Sequence, residues 1–140
     1  MPSCTFFGHR DCFALDRERL MAAIEALILQ GVDTFYVGNQ GNFDGMVRGC
    51  LKQLCRKHPS VRYAVVLAYL PATGEGESDT MYPEIEGHPR FAIERRNRWM
   101  LTHADYCLCY VEHSWGGAWR YARLAKKKGV TVSNLGRFQL

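Results

Sequence analysis

A chain of 140 residues is long enough for one domain with a real core, which excludes a two-domain enzyme with a separate substrate domain. Hydrophobic residues make up 47% and charged residues 23%, ordinary globular values that exclude disorder of the whole chain. The formal charge of +4, from 18 Lys and Arg against 14 Asp and Glu, is too mild by itself to mark a nucleic-acid binder.

Five short apolar runs alternate with helix-like stretches. Cys4–Phe7 reads as the first strand, ending at Gly8-His9-Arg10. Asp16 is placed to cap a helix reaching about Gln30, with Leu20, Ile24, Leu27 and Ile28 at helical spacing and Gly31 as its stop. Thr34–Val37 is a second strand, rich in β-formers, and runs into Gly38-Asn39-Gln40-Gly41. A helix follows from about Phe43 to Lys57, ended by His58-Pro59.

Arg62–Leu67 is a third strand whose continuous apolar centre suits burial on both faces. From about Pro71 to Arg90 there is no period, only Gly, Pro and acids, and a long loop is expected. A helix from Phe91 to about His103, a strand Tyr106–Val111, a helix from Gly117 to Lys128 and a fifth strand Thr131–Leu135 complete the chain. This β-α alternation predicts an α/β fold: one Rossmann-like, doubly wound parallel sheet of about five strands, helices on both faces, occupying residues 1–140 as a single domain.

The six cysteines contain no C-x-x-C, which gives no support to a zinc ribbon or a redox motif. Cys107 and Cys109 alternate and share one face of a strand. The N-terminus shows no basic-then-apolar leader, no apolar run reaches membrane-spanning length, and buried reduced thiols in a cytoplasmic protein are expected. No metal site and no cofactor are predicted. Charge is uneven: Glu75, Glu77, Asp79, Glu84 and Glu86 fall in the expected loop, and the chain from Arg90 onward is basic.

In parallel α/β sheets ligands bind at the carboxyl ends of strands, where strand order reverses. Four loop or helix segments at such ends carry distinctive residues. In Gly8-His9-Arg10, glycine permits a sharp turn, Arg10 offers a planar fork of donors for phosphate or carboxylate, and His9 suits a sugar hydroxyl or acid–base work. In the second loop, Gly38, Asn39 and Gly41 could turn backbone N–H groups towards an anion, and Asp44 is either a helix cap or a ribose ligand. On the third helix, Arg96 and Asn97 stand where a sheet-covering helix is apolar and so need polar partners. In Ser114-Trp115-Gly116-Gly117, the glycine pair before a helix is a candidate phosphate cradle, and Trp115 a surface for a base.

Together, GHR, GNQGNFD, RFAIERRNRWM and HSWGGAWRYA, in this order on these elements, resemble the SLOG superfamily over nearly the whole chain. That group is Rossmann-like and related to the lonely guy phosphoribohydrolases and to the nucleotide-binding domain of the DNA-processing proteins; the short DUF1273/YpsA-like bacterial members are most alike. The resemblance implies a site for a nucleotide or nucleotide-derived ligand lined by Gly8, His9 and Arg10, with Gly38 and Gly41 beneath it, Asp44 near the sugar, Arg96 and Asn97 as the family's Arg-Asn pair, and Ser114, Gly116 and Gly117 as its glycine turn. The phosphoribohydrolases carry a PGGxGTxxE signature whose Glu takes part in catalysis. Here that stretch reads SWGGAWRYA, without the Gly-Thr pair or the Glu.

A module that senses or sequesters a small nucleotide is therefore the first expectation. The second is an N-glycosidic hydrolase with His9, Asp44, Glu84 or Glu94 as acid or base. The third is a nucleic-acid binder using the basic half, against which a solvated helix face is favoured. A homodimer is compatible with so small a domain, and no membrane partner is expected.

Overall fold

The computed structural model describes residues 2–71 and 77–140. Six parallel strands form one sheet: β1 (Ser3–Gly8), β2 (Thr34–Val37), β3 (Arg62–Val66), β4 (Thr80–Met81), β5 (Tyr106–Tyr110) and β6 (Thr131–Asn134). Their order across the sheet is β4-β3-β2-β1-β5-β6. The chain thus winds outward from β1 to β4, then returns to place β5 on the other side of β1. The crevice between the ends of β1 and β5 is the point where strand order reverses, the default ligand position of such sheets.

The expected alternation is present, with four helices, α1 (Arg17–Leu29), α2 (Asn42–Lys57), α3 (Ala92–Thr102) and α4 (Gly116–Lys127). Helix α1 starts where Asp16 accepts a hydrogen bond from the Glu18 N–H, and Gly31 follows its end with φ +106°. Pairs to Glu25 from His58 and Lys57 tie α1 to the end of α2.

The long-loop expectation is corrected in one respect. Thr80–Met81 pairs in parallel with Val65 and Val66 as an edge strand, so the sheet has six strands. Two residues carry no hydrophobic period, and the pairing is held from outside the strand. Asp79 receives Arg48 Nε at 2.8 Å and the Tyr63 hydroxyl at 2.8 Å, while Glu77 also pairs with Arg48. Residues 72–76 of the expected loop, Glu75 among them, lie outside the described residues. Pro89–Phe91 forms a 3-10 turn before α3, so Phe91 precedes that helix rather than opening it.

One core layer, against α1 and α2, gathers Cys4, Phe6, Phe35, Val47, Leu51 and Leu108; the other, against α3 and α4, gathers Phe7, Val66, Met100, Cys107, Cys109 and Ala122. β1 and β5 are buried on both faces over most of their length and β3 at Val65 and Val66, which explains their apolar runs. Ala118, Ala122 and Ala125 give α4 a narrow buried face. All six cysteines are free and five are buried. Burial pushes the Cys4 thiol well up, and Cys107 is raised by its hydrogen bond with Cys109 and by burial.

Candidate functional site

A cavity of about 790 Å³ opens at the carboxyl ends of β1 and β5, within the size range of small-molecule sites. It takes its walls from the loop after β1, the start of α2, α3, the loop after β5, α4 and the C-terminal segment.

The loop after β1 contributes Gly8, His9 and Arg10 to the lining, as expected, together with Phe13. Phe13 is 83% exposed, a large apolar side chain standing in solvent at the edge of the cavity. Gly8 is also required by packing, since a Cβ there would lie 2.1 Å from Phe43 Cγ. Asn42, at the start of α2, fixes this loop by mimicking a strand partner. It accepts from the Cys12 N–H at 2.6 Å and donates to the Cys12 carbonyl at 2.7 Å.

The second loop behaves differently from a free anion cradle. Its Gln40 N–H donates to Asp44 Oδ2 at 3.0 Å and its Asn42 N–H to the Arg10 carbonyl at 3.0 Å. Gly38 and Gly41 are places of close approach. A Cβ on Gly38 would meet Arg96 Nη1 at 2.8 Å, and one on Gly41 would meet Arg10 Cα at 2.7 Å, with φ already at +90°. Of this loop, Gln40 reaches the cavity, and Asn39 accepts from Arg96 Nη1 at 3.3 Å.

The cavity floor is a buried polar cluster. Arg96 is 3% exposed and Asp44 8%. Arg96 Nε donates to Asn97 Oδ1 at 2.8 Å and Nη1 to the Val66 carbonyl at 3.0 Å; its Nη2 has no acceptor among the described residues. Burial pushes the Asp44 carboxyl up to about 6, against the lowering pull of the Gln40 N–H and of Arg96. Burial likewise lowers Arg96, with Asp44 opposing. The polar partners that the sequence demanded for Arg96 and Asn97 are thus each other, Asn39 and the Val66 carbonyl, with Asp44 near enough for a charge interaction but not in an ion pair.

The fourth segment supplies the roof. Helix α4 begins at Gly116, with φ +88°, and no side chain caps it. The first N–H groups of a helix have no partner within it, and Gly116, Gly117 and Ala118 all line the cavity. Trp115 is 65% exposed and stacks on His113 at 3.6 Å between centroids, and His113 stacks on His9 at 3.8 Å. Three rings thus run from the loop after β1 to the N-terminus of α4. Ser114 is exposed and outside the lining.

Residues that the sequence did not single out complete the site. The Tyr110 hydroxyl donates to Glu112 at 2.6 Å, and Glu112 in turn accepts from the Arg137 N–H at 3.0 Å, which brings Arg137 from the C-terminal segment to the cavity. Asn134 secures that segment, taking the Val111 and Gly136 N–H groups and donating to the Val111 and Phe138 carbonyls. His113, inside the same HSWGG run, was the one visible from sequence; Arg137 depends on the fold alone.

Glu84 and Glu94 stand elsewhere. Glu84 lines a separate cavity of about 490 Å³ with Tyr69, Tyr82 and Arg95, because β4 carries its segment to the far edge of the sheet. Glu94 pairs with Arg98 and Arg120. Among the described residues no helix is long and apolar enough to cross a membrane, and no cluster of metal-ligating side chains occurs.

No family model matches the sequence, and no curated protein matches it. Among solved structures the chain is similar to DNA processing protein A from Helicobacter pylori, described for its single-stranded DNA binding mode. The TM-score is 0.66 at 12% identity, over 98% of this chain and 66% of that one. The chain thus spans just under two thirds of that structure's length, and the likeness, one of fold, agrees with the Rossmann-like architecture that the motifs implied.

Proposed function

We propose that the cavity between β1 and β5 binds a nucleotide unit, with a phosphate at the N-terminus of α4 and the base against Trp115. The observation that carries this is the stack of His9, His113 and Trp115 ending at an uncapped glycine-started helix. Planar side chains beside backbone N–H donors are what a base joined to a phosphate requires. Asp44 and Nη2 of Arg96, which has no acceptor among the described residues, serve the sugar and a second anionic oxygen. Six free thiols suit a cytoplasmic setting.

Titration calorimetry with the four nucleoside monophosphates, their nucleosides and inorganic phosphate tests the reading. Monophosphates bind, nucleosides and phosphate alone bind at least ~10-fold more weakly, and Trp115→Ala lowers monophosphate affinity by about 10-fold, the scale of one stacked base. No monophosphate binding tighter than about 1 mM sinks it. Free base measured in the same samples decides the hydrolase alternative.

A second reading is favoured by the fold likeness to a protein described as binding single-stranded DNA. In it the bound nucleotide belongs to a single strand rather than to a free small molecule. Oligonucleotide binding, with competition by the monophosphates, is its test.

A further inference from the structure

Outside the cavity, α3 and α4 lie side by side on one face of the sheet and present a concave surface of about 670 Å³. Arg98, Arg120, Arg123, Lys126 and Lys127 line it and are all exposed. On α4, Arg120, Arg123 and Lys127 stand at i, i+3 and i+7, one stripe about 10 Å long. Glu94 pairs with Arg98 and Arg120. Lys126 Nζ donates to the Leu140 oxygen at 2.8 Å, and Leu140 also lines the groove; Arg123 and Lys127 have no ion pair among the described residues.

Two of these exposed guanidinium groups lie over aromatic rings. Arg123 lies 5.5 Å from the Trp119 centroid and Arg120 5.4 Å from that of Tyr121. Tyr121 itself lines the nucleotide cavity, as does Ile93 next to Glu94. The basic surface therefore adjoins the cavity along the α3–α4 seam. Stacking restricts the arginines, so less freedom is lost when they meet an anion.

We propose that this α3–α4 groove is a track for the phosphodiester backbone of a single strand whose terminal nucleotide occupies the cavity. The proposal rests on the single-strand reading above. Charge selects a polyanion, and the adjoining stack favours one whose bases are unpaired. Arg123 and Lys127, like charges four residues apart on one helix face, repel each other mildly, and successive phosphates of a strand are the ligand that relieves both together.

The test uses the full chain and the double variant Arg123→Ala/Lys127→Ala, with both residues outside the core and the cavity. Fluorescence anisotropy follows a labelled oligo-dT of about 15 nucleotides, near the upper site size of single-strand binders; calorimetry follows the monophosphates. The expected result is about 10-fold weaker oligonucleotide binding and unchanged monophosphate binding. The slope of log affinity against log salt falls by about 1.4, two phosphate contacts at ~0.7 each. If wild-type protein binds monophosphates but no oligonucleotide, the single-strand reading fails and the groove with it. If it binds oligonucleotide and the double variant binds equally well, the groove alone is overturned. Equal loss for monophosphate and oligonucleotide overturns it too, as does duplex binding as tight as single strand. A loss confined to phosphatidylserine vesicles would overturn it in favour of a membrane contact.

Discussion

The Glu112 N–H donates to Nε2 of His9 at 2.9 Å, joining residues 103 positions apart at the mouth of the cavity. A ring nitrogen that accepts carries no proton, so neutral His9 holds its proton on Nδ1. Protonation would end this bond and set a cation against the stacked His113 ring.

Burial, and then His113, lower the His9 pKa below its ordinary 6.5, with Glu112 opposing. The folded protein therefore binds fewer protons here than the unfolded chain just below pH 6.5. This contribution to stability is complete above that pH and is lost as pH falls towards the folded value. Nitrogen-detected NMR across a pH series will show the Nδ1–H tautomer and a midpoint below 6.5; a midpoint above it contradicts the geometry.

Asp44 works in the opposite sense. Its carboxyl is raised from 3.8 to about 6 by burial, so the folded state holds the extra proton between those values. Stability then falls as pH rises through that window, by about 3 kcal/mol from this group. Asp44→Asn keeps an acceptor for the Gln40 N–H and removes the titration. Urea unfolding at several pH values will show a wild-type minus variant difference that declines across the window and is flat above it.

Two glycines of the cavity separate by mechanism. Gly8→Ala drives a methyl into the Phe43 ring and is expected to cost about 1–3 kcal/mol of stability, the usual penalty of overpacking. Gly116→Ala meets nothing within 4 Å, so its cost is the positive φ alone, about 1–2 kcal/mol. Gly116→Ala should lower ligand affinity per folded molecule by more than its cost in stability accounts for, whereas Gly8→Ala is dominated by the loss of stability. Urea unfolding and calorimetry on both variants give the comparison.

Much of the fold was legible because parallel strands covered on both faces are written as unbroken apolar runs, such as RYAVV and YCLCY. The edge strand was not, since Thr80–Met81 has too few residues for any period and depends on Arg48, 31 positions from Asp79. The glycine turns and the Arg96–Asn97 pair were visible as exceptions to their local pattern. Arg137 and Glu112 were not, because each is ordinary in its own segment and gains its place only when the C-terminal segment folds back beside β5.

That Arg48 clip sets a fourth expectation. The Val65 N–H donates to the Asp79 carbonyl and the Leu67 N–H to that of Met81, so β3 relies on the clipped segment for these bonds. Arg48 and Tyr63 hold Asp79 below the ordinary carboxylate range, against the raising effect of burial. Asp79→Asn weakens the charged pairing, with a cost of about 1–3 kcal/mol. Hydrogen exchange will quicken at Val65 and Leu67 first, while amides of β1 and β5 keep their protection.

Cys4, Cys107 and Cys109 sit where β1 meets β5, the same seam whose outer end forms the cavity. Their thiols are buried; burial holds Cys4, and the hydrogen bond with Cys109 together with burial holds Cys107, in the unreactive protonated form. Alkylating reagents can reach them only when the central strands part, whereas Cys55 is half exposed. The molecule thus contains its own clock for opening: the lag between labelling at Cys55 and at the seam measures how long the middle of the sheet stays closed, and a ligand bound at the end of that seam would lengthen it.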